Sequence, residues 1–246
     1  MSLLHTPLYD EHVALGGEMA AFCGYEVPAQ YAGALEEHAA VRERAGLFDV
    51  SYMGRIRIVG PNAQAFVQMV TTNDISEMQD GACKYSLICN EDGGVMDDIY
   101  IDKEHVGRYF LVINPVNLHK VLDHLQANLP PGVQIRDLTS RTAQLAIQGP
   151  AAHAVMQSLG AELPREADTF VYTTLLGAPC HLSRTGYTGE DGYEICCRAD
   201  DAPQLWRELL QRDVTKLLIF RTPGFRNGSL FAFSVGVLSS FTTRCV

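Results

Sequence analysis

The chain has 246 residues, 47% of them apolar, which is enough for one large core or two ordinary ones. A formal charge of −10 leaves no basic surface on which to wrap a polyanion, which argues against nucleic acid as a partner. Seven cysteines without C-x-x-C spacing suggest neither a disulfide framework nor a zinc site, and the amino terminus carries no export signal, so a reducing cytoplasm is expected.

In chain order, "GALEEHAAVRERAG" predicts a helix that opens near Tyr31 and stops at Gly46, with acids early and bases late. "RIRIVG" alternates as a half-buried strand, and "PNAQAFVQMVTT" follows as a helix with Pro61 in its first turn. "CKYSLICNEDGGVMDDIYID" predicts a β-hairpin turning between Asn90 and Gly94, and "RYFLVIN" a further strand. "VNLHKVLDHLQANL" has helical spacing and is stopped by Pro130 and Pro131. "RTAQLAIQGP" reads as a strand, "PAAHAVMQSLG" as a helix, and "TTLLGAPCHLSRTGYTGEDGYEICCRA" as strand, turn, strand. "DAPQLWRELLQRD" closes as a helix with Asp200 or Asp201 as its N-cap. Hairpins interleaved with helices define an α+β fold with mostly antiparallel sheets.

The character changes at Val214. All 29 acidic residues precede it, while residues 214–246 hold only basic charges, at Lys216, Arg221, Arg226 and Arg244. Seventeen uncharged residues separate Arg226 from Arg244, too few and too polar for a membrane helix. This acid-free tail reads as a segment foreign to the fold, as a frameshift would produce, with an ordinary buried β segment as the alternative.

Two stretches can carry chemistry. "RTGYTGEDGYEICC" has glycines at 186, 189 and 192, but Glu190, Asp191 and Glu194 would repel a phosphate, and the acids do not fit calcium-loop spacing. A tight hairpin accounts for the glycines through turn geometry and leaves Glu194, inside the strand, unexplained. In "GGVMDDIYID", strand alternation sets Val95, Asp97, Ile99 and Ile101 on one face and Met96, Asp98, Tyr100 and Asp102 on the other. Asp97 is therefore expected to be desolvated, either as a buried structural residue or as a proton-handling one, while Asp98 and Asp102 share a wetter face. The eight histidines show no metal-ligand spacing and no G-x-S-x-G elbow is present. The residues imply a small-molecule site of strand carboxylates and tyrosines, without a metal.

"TPLYDEH", "FCGYEVPAQY", "EEHAAVRERAGLFDVSYMG", "NEDGGVMDDIY", "AIQGP" and "RTGYTGEDGYEI" stand in an order and spacing that resemble the aminomethyltransferases of the glycine cleavage system, the T-proteins. The resemblance runs from about Thr6 to about Asp213. It implies a tetrahydrofolate-binding region over residues 1–213, built as two intertwined subdomains. It also implies transfer of the aminomethyl group from the lipoyl arm of H-protein, giving ammonia and methylenetetrahydrofolate. Residue by residue, it places the catalytic aspartate at Asp97 and the pterin-binding glutamate at Glu194. Folate contacts fall on Tyr187, and pocket positions on Asn114, Tyr85 and Met53. Tyr52 stands where the family commonly has histidine. Beyond Val214 the family's folate-binding arginine helix and C-terminal β domain have no counterpart in this sequence. The resemblance to flavin-linked sarcosine and dimethylglycine oxidases is weaker, since no dinucleotide-binding glycine fingerprint occurs. The alternative is a non-catalytic folate-binding module like the tRNA-modification and iron–sulfur factors of the superfamily, whose K-G-C-Y/F-x-G-Q-E motif is missing here.

Overall fold

The computed structural model describes residues 2–160, 162–212 and 214–216. Along the chain come β1 (Leu4–His5), α1 (Tyr9–Ala14), β2 (Glu18–Phe22), β3 (Tyr25–Gln30), α2 (Ala34–Glu43) and β4 (Gly46–Asp49). Then follow β5 (Gly54–Val59), α3 (Ala63–Val70), β6 (Cys83–Cys89), β7 (Val95–His105), β8 (Arg108–Ile113), α4 (Leu118–Ala127) and β9 (Gln134–Asp137). The last group is β10 (Thr142–Gln148), α5 (Ala152–Gln157), β11 (Phe170–Leu175), β12 (Ala178–Ser183), β13 (Gly192–Arg198), α6 (Ala202–Leu210) and β14 (Thr215–Lys216).

Three sheets result, ordered β1-β3-β2, β11-β12-β13-β10-β4-β14 and β6-β7-β8-β5-β9. Among the described residues only β1 with β3 and β14 with β4 pair in parallel, so the α+β reading with mostly antiparallel sheets holds. The six-stranded sheet turns Leu47, Leu145, Ile147, Leu182 and Ile195 onto Met156 of α5 and Leu205, Trp206 and Leu209 of α6. The five-stranded sheet turns Ile56, Ile58, Ile99, Ile101 and Leu111 onto Phe66 and Val67 of α3 and Val121 and Leu125 of α4. Each sheet thus has one face on its own helices. The opposite faces look at one another, and the candidate site lies between them.

The chain passes from the first sheet into the second near residues 50–54 and returns near 138–142. Arg55, fully buried, ties both crossings together. Its guanidinium donates to the carbonyls of Ser51 (3.0 Å) and Met53 (2.7 Å) on the way out. On the way back it donates to the carbonyls of Thr139 (2.7 Å) and Thr142 (3.0 Å) and to Thr142 Oγ1 (2.7 Å). Burial lowers the pKa of this cation, yet no carboxylate pairs with it among the described residues; oriented carbonyl dipoles take that role. At the start of α2, buried Glu37 folds back so that its Oε1 accepts the N–H groups of Tyr31, Ala32 and Gly33 at 2.8–3.1 Å, satisfying donors that no helical carbonyl reaches.

Several expectations are corrected. The stretch 173–199 contains two turns and parts of three strands, because Leu176 and Gly177, with φ of 52° and 89°, make a second reversal. A short 3-10 turn, Ala199–Asp201, precedes α6, and Asp201 at its N-cap makes no side-chain capping bond. Apart from residues 214–216, the acid-free tail lies outside the described residues. Replacing Arg55 with alanine strands four carbonyls and leaves a cavity, and is expected to cost about 3–5 kcal/mol of unfolding free energy in urea titrations; a loss under about 1 kcal/mol would show that the crossings hold without it.

Candidate active site

On β7 the expected alternation holds from Asp97 to Ile101 and fails at both ends. A β-bulge opposite Ile88 and Cys89 lets Val95 turn outward, 57% exposed, while Met96 packs against the helix-side core. At the other end Asp102 is buried, not solvated, because its carboxylate lies 3.2 Å from His181 Nε2 on the facing sheet. That partner is remote in sequence.

Asp97, 2% exposed, shares the helix-side face with Ile99 and Ile101. Its carboxylate accepts three hydrogen bonds, from Asn114 N (3.0 Å), Asn114 Nδ2 (3.1 Å) and Asn117 Nδ2 (2.6 Å). Burial raises its pKa, and these donors oppose the shift without cancelling it. Asp98 faces the other way. Its Oδ1 accepts from the same Asn114 amide at 3.0 Å and its Oδ2 from the Tyr85 hydroxyl at 3.2 Å. Tyr85, 46% exposed, meets Tyr100 edge-on with ring centroids 5.9 Å apart.

Tyr100 and Asp102 line a narrow cavity of about 10 Å3, room for one water-sized group, with Gln144, His181, Ser183, Thr185 and Glu194 from the six-stranded sheet. Glu194 accepts from Gln144 Nε2 (2.9 Å) and Thr185 Oγ1 (2.5 Å). No basic side chain forms an ion pair with it among the described residues, and burial raises its pKa despite those two donors. Tyr187 packs its ring edge-on to Phe48, centroids 5.8 Å apart, and keeps 49% of its surface exposed. Its phenol is nevertheless pushed well up by desolvation, the combination expected of a side chain on a concave wall. Met53 packs against the cluster containing Phe48, Val50 and Tyr52. Of the residues singled out in the sequence, the structure therefore joins Asp97, Asn114 and Tyr85 in one network and sets Glu194 in the inter-sheet cavity, with Tyr100 common to both. Tyr187 and Met53 meet around Phe48. Gln144, Thr185 and His181 were missed, since nothing local in the sequence marks them. A larger open crevice of about 800 Å3, lined by Arg57, Arg141, His181 and Arg198, holds none of the expected site residues.

A family model described as the GCVT N-terminal domain matches residues 8–216. The chain belongs to that family. This GCVT domain is 42% identical over 212 residues to an aminomethyltransferase of Halalkalibacterium halodurans and 42% identical over 214 residues to one of Bacillus mycoides. Those matches take in 85% and 86% of this chain but only 58% of each relative. The crystal structure of glycine cleavage system aminomethyltransferase T from Bartonella henselae matches with a TM-score of 0.82 at 32% identity, over 88% of this chain and 60% of that one. A heterotetrameric sarcosine oxidase from Corynebacterium shares the fold, with a TM-score of 0.54 at 18% identity.

The glycines of this GCVT domain's loop between β12 and β13 have two different causes. Gly189 has φ of 79°, a turn conformation. Gly186 and Gly192 instead make room for Gln148, fully buried, whose amide donates to Thr185 O (3.1 Å) and accepts from Thr188 Oγ1 (3.0 Å). A Cβ on Gly186 would lie 2.0 Å from Gln148 Oε1, and one on Gly192 would lie 2.4 Å from Ile147 O. Arg184 and Asp191 close the loop base with a paired salt bridge at 2.9 and 2.5 Å.

Gly192→Ala is expected to cost about 1–3 kcal/mol, because the backbone of Ile147 must move; an unchanged urea midpoint would refute the close-packing account. Glu194, with its folded pKa raised, favours folding most below the unfolded carboxylate pKa of about 4, and that contribution is lost as pH rises through the folded value. Glu194→Gln should therefore raise the unfolding midpoint at neutral pH, with the gain vanishing below pH ~4. Equal midpoints at neutral pH would show a solvated carboxylate.

Proposed function

We propose that the protein binds tetrahydrofolate beside Glu194, with the edge of the pterin entering the narrow space between the two sheets, and that it takes part in aminomethyl transfer from the lipoyl arm of an H-protein, giving methylenetetrahydrofolate, ammonia and the freed dihydrolipoyl arm. The observation that carries this reading is Glu194. A half-buried, desolvated carboxylate with no ion-pair partner among the described residues is costly, and a ligand edge with paired N–H donors, such as that of a pterin, offsets that cost as a guanidinium fork would. Each carboxylate oxygen has a second lone pair for such a donor beyond those used by Gln144 and Thr185. Tyr187, Tyr85 and Met53 supply apolar wall for the ring and its aryl extension. Family membership and the aminomethyltransferase relatives support the same assignment. Six free cysteines among the described residues suit a reducing cytoplasm.

The resemblance places the catalytic aspartate at Asp97, which lies on the helix-side face with its carboxylate held by Asn114 and Asn117. We assign proton handling to the pair. Asp98, on the outward face, accepts the proton lost by a folate nitrogen as it bonds to the aminomethyl carbon; bonding of the two folate nitrogens to that carbon breaks its bonds to the amine, which leaves as ammonia, and to the lipoyl sulfur, which leaves as the dihydrolipoyl thiol. Asp97 holds the Asn114 amide that aligns Asp98. General-base assistance of this kind contributes about 10² to 10⁴ in rate, and alignment of the two substrates supplies much of the remainder.

Calorimetric titration with tetrahydrofolate should show sub-millimolar binding that strengthens as pH rises through the Glu194 titration and weakens at least ~10-fold in Glu194→Gln. No binding at millimolar ligand would overturn the reading. Asp98→Asn should lower kcat by about 10² to 10⁴ with folate affinity retained, whereas Asp97→Asn should lower both kcat and unfolding stability. An inactive, fully stable Asp97→Asn beside an active Asp98→Asn would return the proton to Asp97.

A further inference from the structure

Gln144 lies on β10 beside Glu194 and is 3% exposed. Its backbone is pinned by Ser51, whose Oγ accepts from Gln144 N (3.0 Å) and donates to Gln144 O (3.3 Å), while Asp49 Oδ1 holds Ser51 N at 2.9 Å. Chemistry fixes the orientation of the amide. An ionised Glu194 can only accept, so Nε2 must face it, as it does at 2.9 Å, and Oε1 must face away. That Oε1 is buried without a hydrogen-bond partner in a wall of the cavity that Glu194 also lines. Buried carbonyl oxygens are rarely left so, and the space beside this one, about 10 Å3, admits a single donor the size of an amine or a water.

We propose that Gln144 is a specificity-determining residue of the folate cavity, its Oε1 accepting the exocyclic amine proton that Glu194 leaves over. The inference rests on the folate reading above. The recognition edge of a 2-amino-4-oxo-pterin carries three N–H hydrogens, one on the ring and two on the amine. A carboxylate fork takes the ring hydrogen and one amine hydrogen. The second amine hydrogen points to the side, where an adjacent acceptor is needed, and Gln144 supplies one from the neighbouring strand. The cavity would then distinguish ligands by the number of donors on that edge, with the 2-amino group read twice.

The test titrates tetrahydrofolate and its 2-desamino-2-methyl analogue into the full chain and into Gln144→Leu and Gln144→Met. The expected result is about tenfold weaker tetrahydrofolate binding in both variants. The analogue should bind the unaltered chain weakly and should lose little further affinity in the variants, because the amine hydrogen is already gone. Thermal unfolding of each variant separates a lost contact from a lost fold, and the analogue's affinity for the unaltered chain tests the edge without any substitution. Variants that fold and bind tetrahydrofolate within twofold of the unaltered chain would overturn the role of Gln144 and leave the folate reading standing, with a water molecule satisfying Oε1. Equal further losses for both ligands in the variants would also overturn it. If the unaltered chain binds no tetrahydrofolate while remaining folded, both readings fall together.

Discussion

The site depends first on Arg55. Two sheets joined by two chain crossings could splay about those crossings, and one buried guanidinium closes both by gathering five acceptors from the two segments. A cation is suited to this because its five donors lie in a rigid plane and strengthen in a low-dielectric setting. Once the crossings are fixed, the inner faces of the sheets are fixed in distance and register. Everything that meets between them, from Asp102 with His181 to Gln144 with Glu194, follows from that spacing.

Those inner faces are costly surfaces. His181 lies sandwiched with Phe170 and Phe110, at ring separations of 4.3 and 5.1 Å, and reaches Asp102 across the gap. Beside this contact the sheets part, and the space holds a carboxylate without a cation and an amide oxygen without a donor. Such groups subtract from stability unless a ligand completes them. The apolar cores on the outer faces, sheet to helix, carry the fold and leave the inner faces free to be polar. Sites built this way give up some stability in order to be ready for a charged or hydrogen-bonding ligand.

How much of this was legible in the sequence follows from the range of each interaction. Alternation along β7 exposed Asp97 as a desolvated residue because burial on a strand has a period of two, and that period survives wherever the ladder is regular. It failed at Val95, where a bulge inserts an extra residue, and at Asp102, whose burial is caused by a histidine on another sheet. The glycines at 186 and 192 looked like turn residues, since glycine's conformational freedom is a local property and its lack of a Cβ matters only against a tertiary neighbour, here Gln148. Elements with strong periodicity, such as β5, β10 and α4, were readable; β1, β4 and β9, with two to four residues each, were not. Gln144 belongs with the unreadable group. A lone glutamine in an apolar strand acquires meaning only when its neighbour is known to be an acid.

The connectivity of the two sheets carries one more consequence, for the order in which the molecule is made. Residues 54–137 form the five-stranded sheet from one uninterrupted run, so this lobe has all its strands as soon as that run leaves the ribosome. The six-stranded sheet must instead keep β4 waiting until β10 arrives on the far side of that run. Its closure spans a long loop, and a preformed inner lobe shortens the effective distance that loop must search. Synthesis from the amino terminus thus favours an assembly in which the inserted lobe folds first and serves as the template on which the interrupted sheet is completed.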